Sequence, residues 1–285
     1  MASILTNASA MAALATMRSI DRDLAVTQER ISSGLKVGSP ADNAAYWSIS
    51  TTMKSENSSL SVVGEALGMG AALADVASTA TQSLVDLMSQ VRDRVVAAGE
   101  STNDKVKIQS ELSQLYTQMT DTVKSAAFNG QNWLSATNKA GGDLGPSTKV
   151  LSGITTSNLQ FITVNLVATD GKNTAQTIAT VTALGVVALA DTAIANTLGV
   201  IDAAMKNLLE LGSIFGAASS RMDIQKDFIS ALTDAIDRGI GSLIDADMNE
   251  ESTRLKALQT QQQLAVQSLS IANTSSENIL RLFQN

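Results

Sequence analysis

The chain has 285 residues, enough for one or two ordinary domains, and 44% of them are hydrophobic while only 3% are aromatic. The net charge is -7 and no cluster of Lys and Arg is present, which argues against nucleic acid as the main partner because phosphate binding requires grouped cations. The absence of cysteine excludes disulfides, thiolate metal sites and cysteine nucleophiles.

A long helix with a sparse apolar seam is predicted near the N-terminus. Met17, Ile20, Leu24 and Ile31 follow a three-four spacing, with Thr27 in the gap, which is typical of a helix packed against other helices. The segment has too little apolar bulk for a core of its own, so we expect it to need a partner.

The C-terminal end carries a similar seam, interrupted by Gln262 and Ser276. A glutamine in a seam more often faces solvent or fixes the register of packing than lines a channel, and it can also form a hydrogen bond between subunits. The members of this seam are Leu255, Leu258, Ala265, Leu269, Ala272, Ile279 and Phe283. The two ends together predict a chain built to assemble.

Helical periodicity also fills much of the middle. Asp42 or Asn43 is predicted to cap a second helix that runs to about Ala98, and Asn103 or Asp104 to start a third. A further helical region returns at about residues 188–238.

Between these helices, residues 135–182 are dense in Gly, Ser, Thr and Asn. A strand is predicted over residues 159–167, followed by a turn at Asp170-Gly171. The second strand of the predicted hairpin runs through Thr177, Ile178 and Val181.

Short motifs at both ends carry a family resemblance. Glu29-Arg-Ile-Ser-Ser-Gly-Leu-Lys36, followed by Ser39, Asp42 and Ala44-Ala45, resembles the N-terminal signature of bacterial flagellins, Glu-Arg-Leu-Ser-Ser-Gly-Leu-Arg with a downstream Asp-Asp-Ala-Ala.

Three later segments extend the resemblance in the family's order. Asn129-Gly130 resembles the family's Phe-Asn-Gly segment, Ile244-Asp-Ala-Asp-Met248 its Ile-Glu-Asp-Ala-Asp, and Asn278-Ile-Leu-Arg-Leu282 its Asn-Val-Leu-Ser-Leu ending. The chain is therefore identified as a member of this family by resemblance.

The resemblance implies a mainly α fold, in which long terminal helices form a coiled coil beside a helical-bundle domain with a small insert that contains a β-hairpin. Residues 1–40 and 249–285 would form the inner coiled-coil domain, and residues 41–134 and 186–248 the helical-bundle core. Residues 135–185 would form a small β-rich region that faces the surface.

The implied function is a structural subunit that polymerises into the flagellar filament used for swimming, with terminal helices that fold and pair on assembly. The N-terminal self-assembly seam is Ile4, Leu5, Met11, Leu14, Met17, Ile20, Leu24, Ile31 and Leu35. The C-terminal seam is Leu255, Leu258, Leu264, Leu269, Ile271, Ile279, Leu280, Leu282 and Phe283.

The partners implied are other copies of the chain, sister flagellins, hook-junction and cap proteins, and an export chaperone at residues 264–283, but neither nucleic acid nor a membrane. The location implied is the extracellular flagellum, reached through the flagellar export apparatus. The first charged residue is Arg18, so no cleaved signal peptide is expected. The most apolar run, residues 183–190, is shorter than the roughly 20 residues that span a bilayer.

No enzyme activity, cofactor or metal is expected. The chain has neither His nor Cys, which removes the commonest general base and the strongest nucleophile. Asp245 and Asp247 could be interpreted as a metal pair, but two-residue spacing splays them apart on a helix, so a helix cap is favoured.

Residues 88–96 resemble the segment through which flagellins activate a Toll-like receptor of animal innate immunity. Arg92 keeps the family pattern, whereas Gln90 stands where the family has Arg and Arg94 where it has Leu. We predict weakened receptor activation.

Two alternatives to a filament subunit remain open. A hook-filament junction protein would share the terminal helices but would form a short collar. A coiled-coil adaptor unrelated to flagella would explain the seams but not the ordered motifs.

Overall fold

The computed structural model describes residues 7–100, 103–136, 142, 144–155, 158–184 and 191–282, and of residues 191–193 and 275–282 it describes the backbone only. Within this part of the chain the mainly α prediction is confirmed. In chain order the elements are α1 (Ala8–Ser33), α2 (Ala44–Ala98), α3 (Lys105–Ser125), β1 (Ser147–Thr155), β2 (Asn158–Asn165), α4 (Thr174–Thr182), α5 (Asp191–Ile244) and α6 (Met248–Leu282).

Polar side chains begin the helices by accepting hydrogen bonds from the first free backbone N–H groups. Of the predicted caps, Asn43 begins α2, because its Oδ1 accepts from the backbone N of Ala45 and Tyr46, both at 3.1 Å. Asp104 begins α3 through its Oδ1, and Asp247 begins α6 in the same way. The predicted helix-cap role of Asp247 is thus confirmed.

The chain divides into two compact units. One comprises residues 1–57 and 235–285, and the other residues 58–234. The long helices α2 and α5 each contribute residues to both units. The predicted division into three domains remains a prediction.

The second unit has an apolar core with one aromatic pair. Trp133 and Phe215 are fully buried, and their ring centroids lie 6.4 Å apart. Asn132 holds the segment before Trp133 against α3, since its Nδ2 donates to the backbone O of Val123 at 2.6 Å. The other large, fully buried side chains of this core are Leu67, Leu84, Met88, Leu112, Met119, Leu134, Leu166, Ile201, Leu208 and Leu211.

Close packing at one glycine holds the hairpin against α2. A Cβ at Gly70 would lie 2.6 Å from Val150 Cγ1 and 2.9 Å from Met222 Sδ, distances that real Cβ atoms do not show. A Cβ at Gly64, one and a half turns earlier, would lie 3.8 Å from Ile229, which is ordinary contact. Of these two positions, only Gly70 has no room for a larger side chain.

The β-rich segment contains a hairpin, but the prediction of its second strand is wrong. β2 overlaps the strand predicted at residues 159–167, and its antiparallel partner is the preceding segment, β1. Residues Thr177, Ile178 and Val181 instead belong to helix α4. This helix begins with a capping box, in which Asn173 and Gln176 each bind the other's backbone N–H, and it buries Thr177, Ile178 and Val181.

Other boundaries agree with the sequence to within a few residues. The turn predicted at Asp170-Gly171 is present, with Gly171 at φ +79°, although it leads into α4. Helix α5 extends to Ile244, beyond the predicted end. Of the apolar run 183–190, residues 185–190 lie outside the described part of the chain.

Candidate self-assembly surfaces

The two terminal helices pack against each other within one chain. Ile20 of α1 and Leu258 and Ala265 of α6 form a small buried cluster, and Met17 and Leu24 pack against its edge. These are members of the two predicted seams, so the structure brings the central part of both seams together.

Three polar contacts fix the antiparallel register of this pair. Asn7 Nδ2 donates to the backbone O of Ala272 at 3.1 Å, and Gln262 Nε2 donates to Asp21 Oδ1 at 2.7 Å. Near the other end, Arg30 Nη1 lies 3.1 Å from Glu251 Oε1. Gln262 therefore has the register-fixing role that was one of its predicted roles.

The Arg30–Glu251 contact is a largely buried ion pair. The side chains are 27% and 7% exposed, and the second carboxylate oxygen, Glu251 Oε2, is buried without a hydrogen-bond partner among the described residues. A carboxylate removed from water in this way depends on its one cation.

A short clasp joins the loop after α1 to the loop before α6. The backbone N of Lys36 and of Val37 donate to the backbone O of Ile244 at 2.6 and 3.2 Å, and Ala246 N donates to Gly34 O at 2.9 Å. Gly34 has φ +72°, a left-handed conformation that glycine adopts without strain and that ends α1.

An apolar cluster lies beside the clasp. Val37, Ile240 and Ile244 are buried, and Leu35 and Trp47 are among the side chains that pack on them. Of these residues only Leu35 is in a predicted seam. Seam spacing along single helices could not identify the others, because the cluster combines a loop with two helices.

A hydrogen-bonded carboxylate stabilises the loop that follows. Asp42 Oδ2 accepts from the backbone N of Ser39 at 2.9 Å, from Ser39 Oγ at 3.0 Å and from the backbone N of Gly38 at 3.2 Å. These bonds, led by the one from the Ser39 backbone, hold the pKa of Asp42 below its usual value of 3.8.

The remaining predicted seam residues fall into three groups. Four are exposed on the outside of the helix pair: Met11 at 60%, Leu14 at 38%, Leu264 at 60% and Ile271 at 67%. Three are half-buried: Ile31, Leu255 and Leu269. The rest are not described as side chains, since Ile4, Leu5 and Phe283 lie outside the described residues and only the backbone is described for Ile279, Leu280 and Leu282.

Two valines are among the exposed apolar residues of the terminal helices that seam spacing missed. Val26 is 43% exposed and Val266 is 49% exposed. Both lie outside the three-four pattern, so only the structure shows that they add to the uncovered apolar surface.

The receptor-like segment lies on the surface of α2. Gln90 is exposed, Arg92 Nε lies 2.9 Å from Asp202 Oδ1, and Arg94 Nε lies 3.1 Å from Glu111 Oε2. Arg94 thus presents a charge, paired with α3, where the family pattern has an apolar side chain.

Among the described residues no group of three His, Cys, Asp or Glu side chains is placed to hold a metal ion. Helix α2 contains an 18-residue window of mean hydropathy 1.4, of which 44% is buried. Core helices of soluble proteins have such windows too, so α2 alone is a weak sign of a membrane span.

Comparison with known proteins matches both ends of the chain to one family. The model of the bacterial flagellin N-terminal helical region matches residues 4–139, and that of the C-terminal helical region matches residues 198–283.

Full-length relatives and a solved structure extend these matches. Flagellin C of Rhizobium meliloti (strain 1021) is 43% identical and a flagellin of Brucella melitensis 41% identical, each alignment covering 100% of both chains. The solved structure of a Vibrio parahaemolyticus protein described as flagellar hook-associated has a TM-score of 0.56 at 16% identity, covering 72% of this chain and 100% of that one. This last likeness concerns the fold alone. The chain belongs to the bacterial flagellin family and is a structural subunit of the flagellar filament, an extracellular assembly of many copies, and not an enzyme.

Proposed function

We propose that the exposed apolar residues of the terminal helix pair are the surfaces through which copies of this subunit pack in the filament. The observation that carries the proposal is that Met11, Leu14, Leu264 and Ile271 stay exposed after the helices have paired with each other. Within the pair, one apolar stripe of α1 packs against one of α6, and further apolar side chains stay available for contact with a second copy.

Burial of these four side chains makes several kcal/mol of free energy available for assembly. Fully burying one Leu, Ile or Met contributes about 1.5 to 3 kcal/mol, and about half of each of the four remains exposed, so their burial contributes roughly 3 to 6 kcal/mol per subunit before ordering entropy is subtracted. Summed over the neighbours in a polymer, such terms favour assembly.

Folding of the ends is coupled to assembly in this proposal. Only Ile20, Leu258 and Ala265 are buried in the cluster between the two helices, and a helix with so little packing is marginal in water. The ends of a free subunit are therefore expected to fray and to become ordered when neighbouring copies cover them.

The marginal stability of the free ends also supports an export route. An unfolded subunit could pass through the narrow flagellar export channel without a cleaved signal peptide, and residues 264–283 would be held by an export chaperone beforehand. Hook-junction and cap proteins would contact the assembled ends of the filament, and sister flagellins would copolymerise with this subunit. These partners are carried over from the family resemblance.

Seeded polymerisation tests the assembly surfaces. Short filament fragments are added to purified monomer, and elongation is followed by negative-stain microscopy with circular dichroism in parallel. Wild type should form long filaments with a gain in helicity. The variant Leu264→Gln/Ile271→Gln should lose elongation, because both side chains lose their apolar burial.

The matched control is Ser268→Gln, which introduces the same side chain at an exposed polar position of α6. It should elongate like wild type. Normal elongation of Leu264→Gln/Ile271→Gln would contradict the proposed surface. Short rings from wild type would instead indicate a junction protein.

The chaperone proposal has its own test. Deleting residues 252–285 should abolish both polymerisation and chaperone binding while unit 58–234 stays folded, as measured by pull-down and by thermal unfolding. A truncated chain that still binds the chaperone would place that binding site elsewhere.

A further inference from the structure

The β-hairpin presents an apolar face to solvent. In the antiparallel register Leu151 lies opposite Phe161 and Ile154 lies opposite Leu159, and the exposed fractions of Ile154, Leu159 and Phe161 are 38%, 56% and 47%. We call Leu151, Ile154, Leu159 and Phe161 the hairpin face.

A β-bulge keeps this face continuous. The register shifts between Leu151 and Gly153, so one extra residue stands in β1 and Ile154, not Gly153, lies opposite Leu159. Such bulges re-aim side chains and are structural features of a strand. Here the bulge aligns two apolar cross-strand pairs on one side.

The other side of the hairpin is already used. Ile162 and Val164 are buried, and the backbone O of Ser152 accepts from Gln225 Nε2 of α5 at 3.0 Å. A hairpin covered on one face ordinarily carries polar residues on the other. Exposed Leu, Ile and Phe on that second face therefore indicate a surface that a partner covers.

A second uncovered apolar surface lies on α5, within the same compact unit. Ala217, Ile224, Phe228 and Ala231 recur with spacings of seven, four and three residues and are all exposed, Ile224 by 67% and Phe228 by 57%. We call these four residues the α5 stripe. The buried side of α5 carries other residues, such as Met222.

We propose that the hairpin face of one subunit packs on the α5 stripe of a second copy in the filament. A polymer that keeps growing needs two different, complementary surfaces on each copy, because a self-complementary patch closes into a dimer. The hairpin face and the α5 stripe are two such surfaces. This contact goes beyond the proposed role of the terminal helices, since it lies in residues 58–234.

The dimensions and charges of the two surfaces agree with this contact. From Leu159 to Phe161 the strand spans roughly 7 Å, and from Ala217 to Ala231 the helix spans roughly 21 Å, so the stripe is long enough to take the whole hairpin face. Lys149 lies opposite Thr163 at one end of the hairpin face.

The charges along the stripe are of both signs. Asp223 and Asp227 directly precede Ile224 and Phe228, and Arg221 and Lys226 are exposed on the same stretch of helix. The orientation that we propose sets Lys149 beside Asp227 of the second copy, where opposite charges meet at the rim.

Disulfide cross-linking tests this arrangement directly, because the natural chain contains no cysteine. The variant Thr163→Cys/Asp227→Cys leaves both apolar surfaces intact. Mild oxidation of its filaments should give a ladder of covalent multimers on a non-reducing gel, whereas free monomer should not. The control Thr163→Cys/Val106→Cys, which has its second cysteine at an exposed position of α3, should give no ladder. Filaments of the test variant without a ladder would overturn the proposed contact.

Truncation of the hairpin face gives an independent measurement. Leu159→Ser/Phe161→Ser should raise the critical concentration for seeded elongation by about tenfold or more, through lost apolar burial. The control Val106→Ser removes an apolar side chain that is 65% exposed and lies outside both surfaces, and it should leave the critical concentration unchanged. An unchanged critical concentration for Leu159→Ser/Phe161→Ser refutes the contact.

The two proposals fail separately. If Leu264→Gln/Ile271→Gln blocks elongation while the hairpin variant elongates normally, the terminal surfaces stand and the hairpin contact is wrong. If a ladder forms while Leu264→Gln/Ile271→Gln still elongates, the hairpin contact stands and the terminal surfaces are wrong.

Discussion

Replacing Arg30 by methionine should open the terminal helix pair by leaving a buried carboxylate without its cation. The Glu251 side chain is only 7% exposed, its Oε1 lies 3.1 Å from Arg30 Nη1, and its Oε2 has no hydrogen-bond partner among the described residues. Breaking a buried pair costs about 3 to 5 kcal/mol. Because the Arg30 side chain is 27% exposed, we expect the lower end, about 3 kcal/mol.

Hydrogen–deuterium exchange of assembled filaments measures this opening. A loss of about 3 kcal/mol corresponds to a roughly hundredfold faster exchange of the α1 and α6 amides, since every 1.4 kcal/mol is a factor of ten. Amides in residues 58–234 should exchange as in wild type, because the substitution lies outside that unit.

Two further variants isolate the cause. Arg30→Met/Glu251→Leu removes both charges and should restore most of the protection, whereas Arg254→Met breaks only the exposed pair with Glu250 and should cost less than about 1 kcal/mol. If Arg30→Met exchanges within threefold of wild type, or if the double variant is no better than the single one, the reasoning fails.

Three other perturbations test the second unit, the loop after α1 and the receptor-like segment. Gly70→Ala should destabilise the chain by about 1 to 3 kcal/mol through overpacking, while Gly64→Ala, which has room for a Cβ, should be neutral or stabilising; a thermal unfolding midpoint of Gly70→Ala at or above that of Gly64→Ala would contradict this. The pKa of Asp42 is lower in the folded chain than its usual value of 3.8, so its contribution to stability is present above that value and is lost as the pH falls through the folded pKa. Asp42→Asn should therefore lower the urea midpoint at pH 7 but not at pH 2, and an equal loss at both would exclude this account. In a reporter-cell assay of the Toll-like receptor, Gln90→Arg/Arg94→Leu should raise activation above wild type, and activation by wild type as strong as that of an enteric flagellin would contradict the predicted weakness.

The helical part of the fold follows closely from local sequence. Asn43, Asp104 and Asp247 cap their helices because short polar side chains reach the free N–H groups of the next turn, whatever the rest of the chain does. The central seam residues Ile20 and Leu258 are buried as their spacing predicts. Capping and the spacing that marks a seam both depend on residues within a few positions of each other.

The segment after β2 shows where local sequence is insufficient. Thr177, Ile178 and Val181 have high strand propensity, yet they form α4. Propensity is a weak prior for a run this short, and the capping box at Asn173 together with burial of the β-branched side chains favours the helix. β2 pairs with β1, which precedes it, and not with residues 174–182, which follow it; this choice too is made by tertiary packing.

For the candidate assembly surfaces, too, sequence and tertiary structure each determine a part. The sequence by itself determined that both ends form helices with apolar seams and that their motifs belong to flagellins, because helical periodicity and family motifs are local patterns. Only the tertiary structure decided which seam residues pack between the two helices and which, such as Leu264 and Ile271, stay exposed. It also decided that a bulge turns Ile154 outward. The physical reason is that burial depends on which distant segment packs against a residue, and neither spacing nor composition specifies that partner.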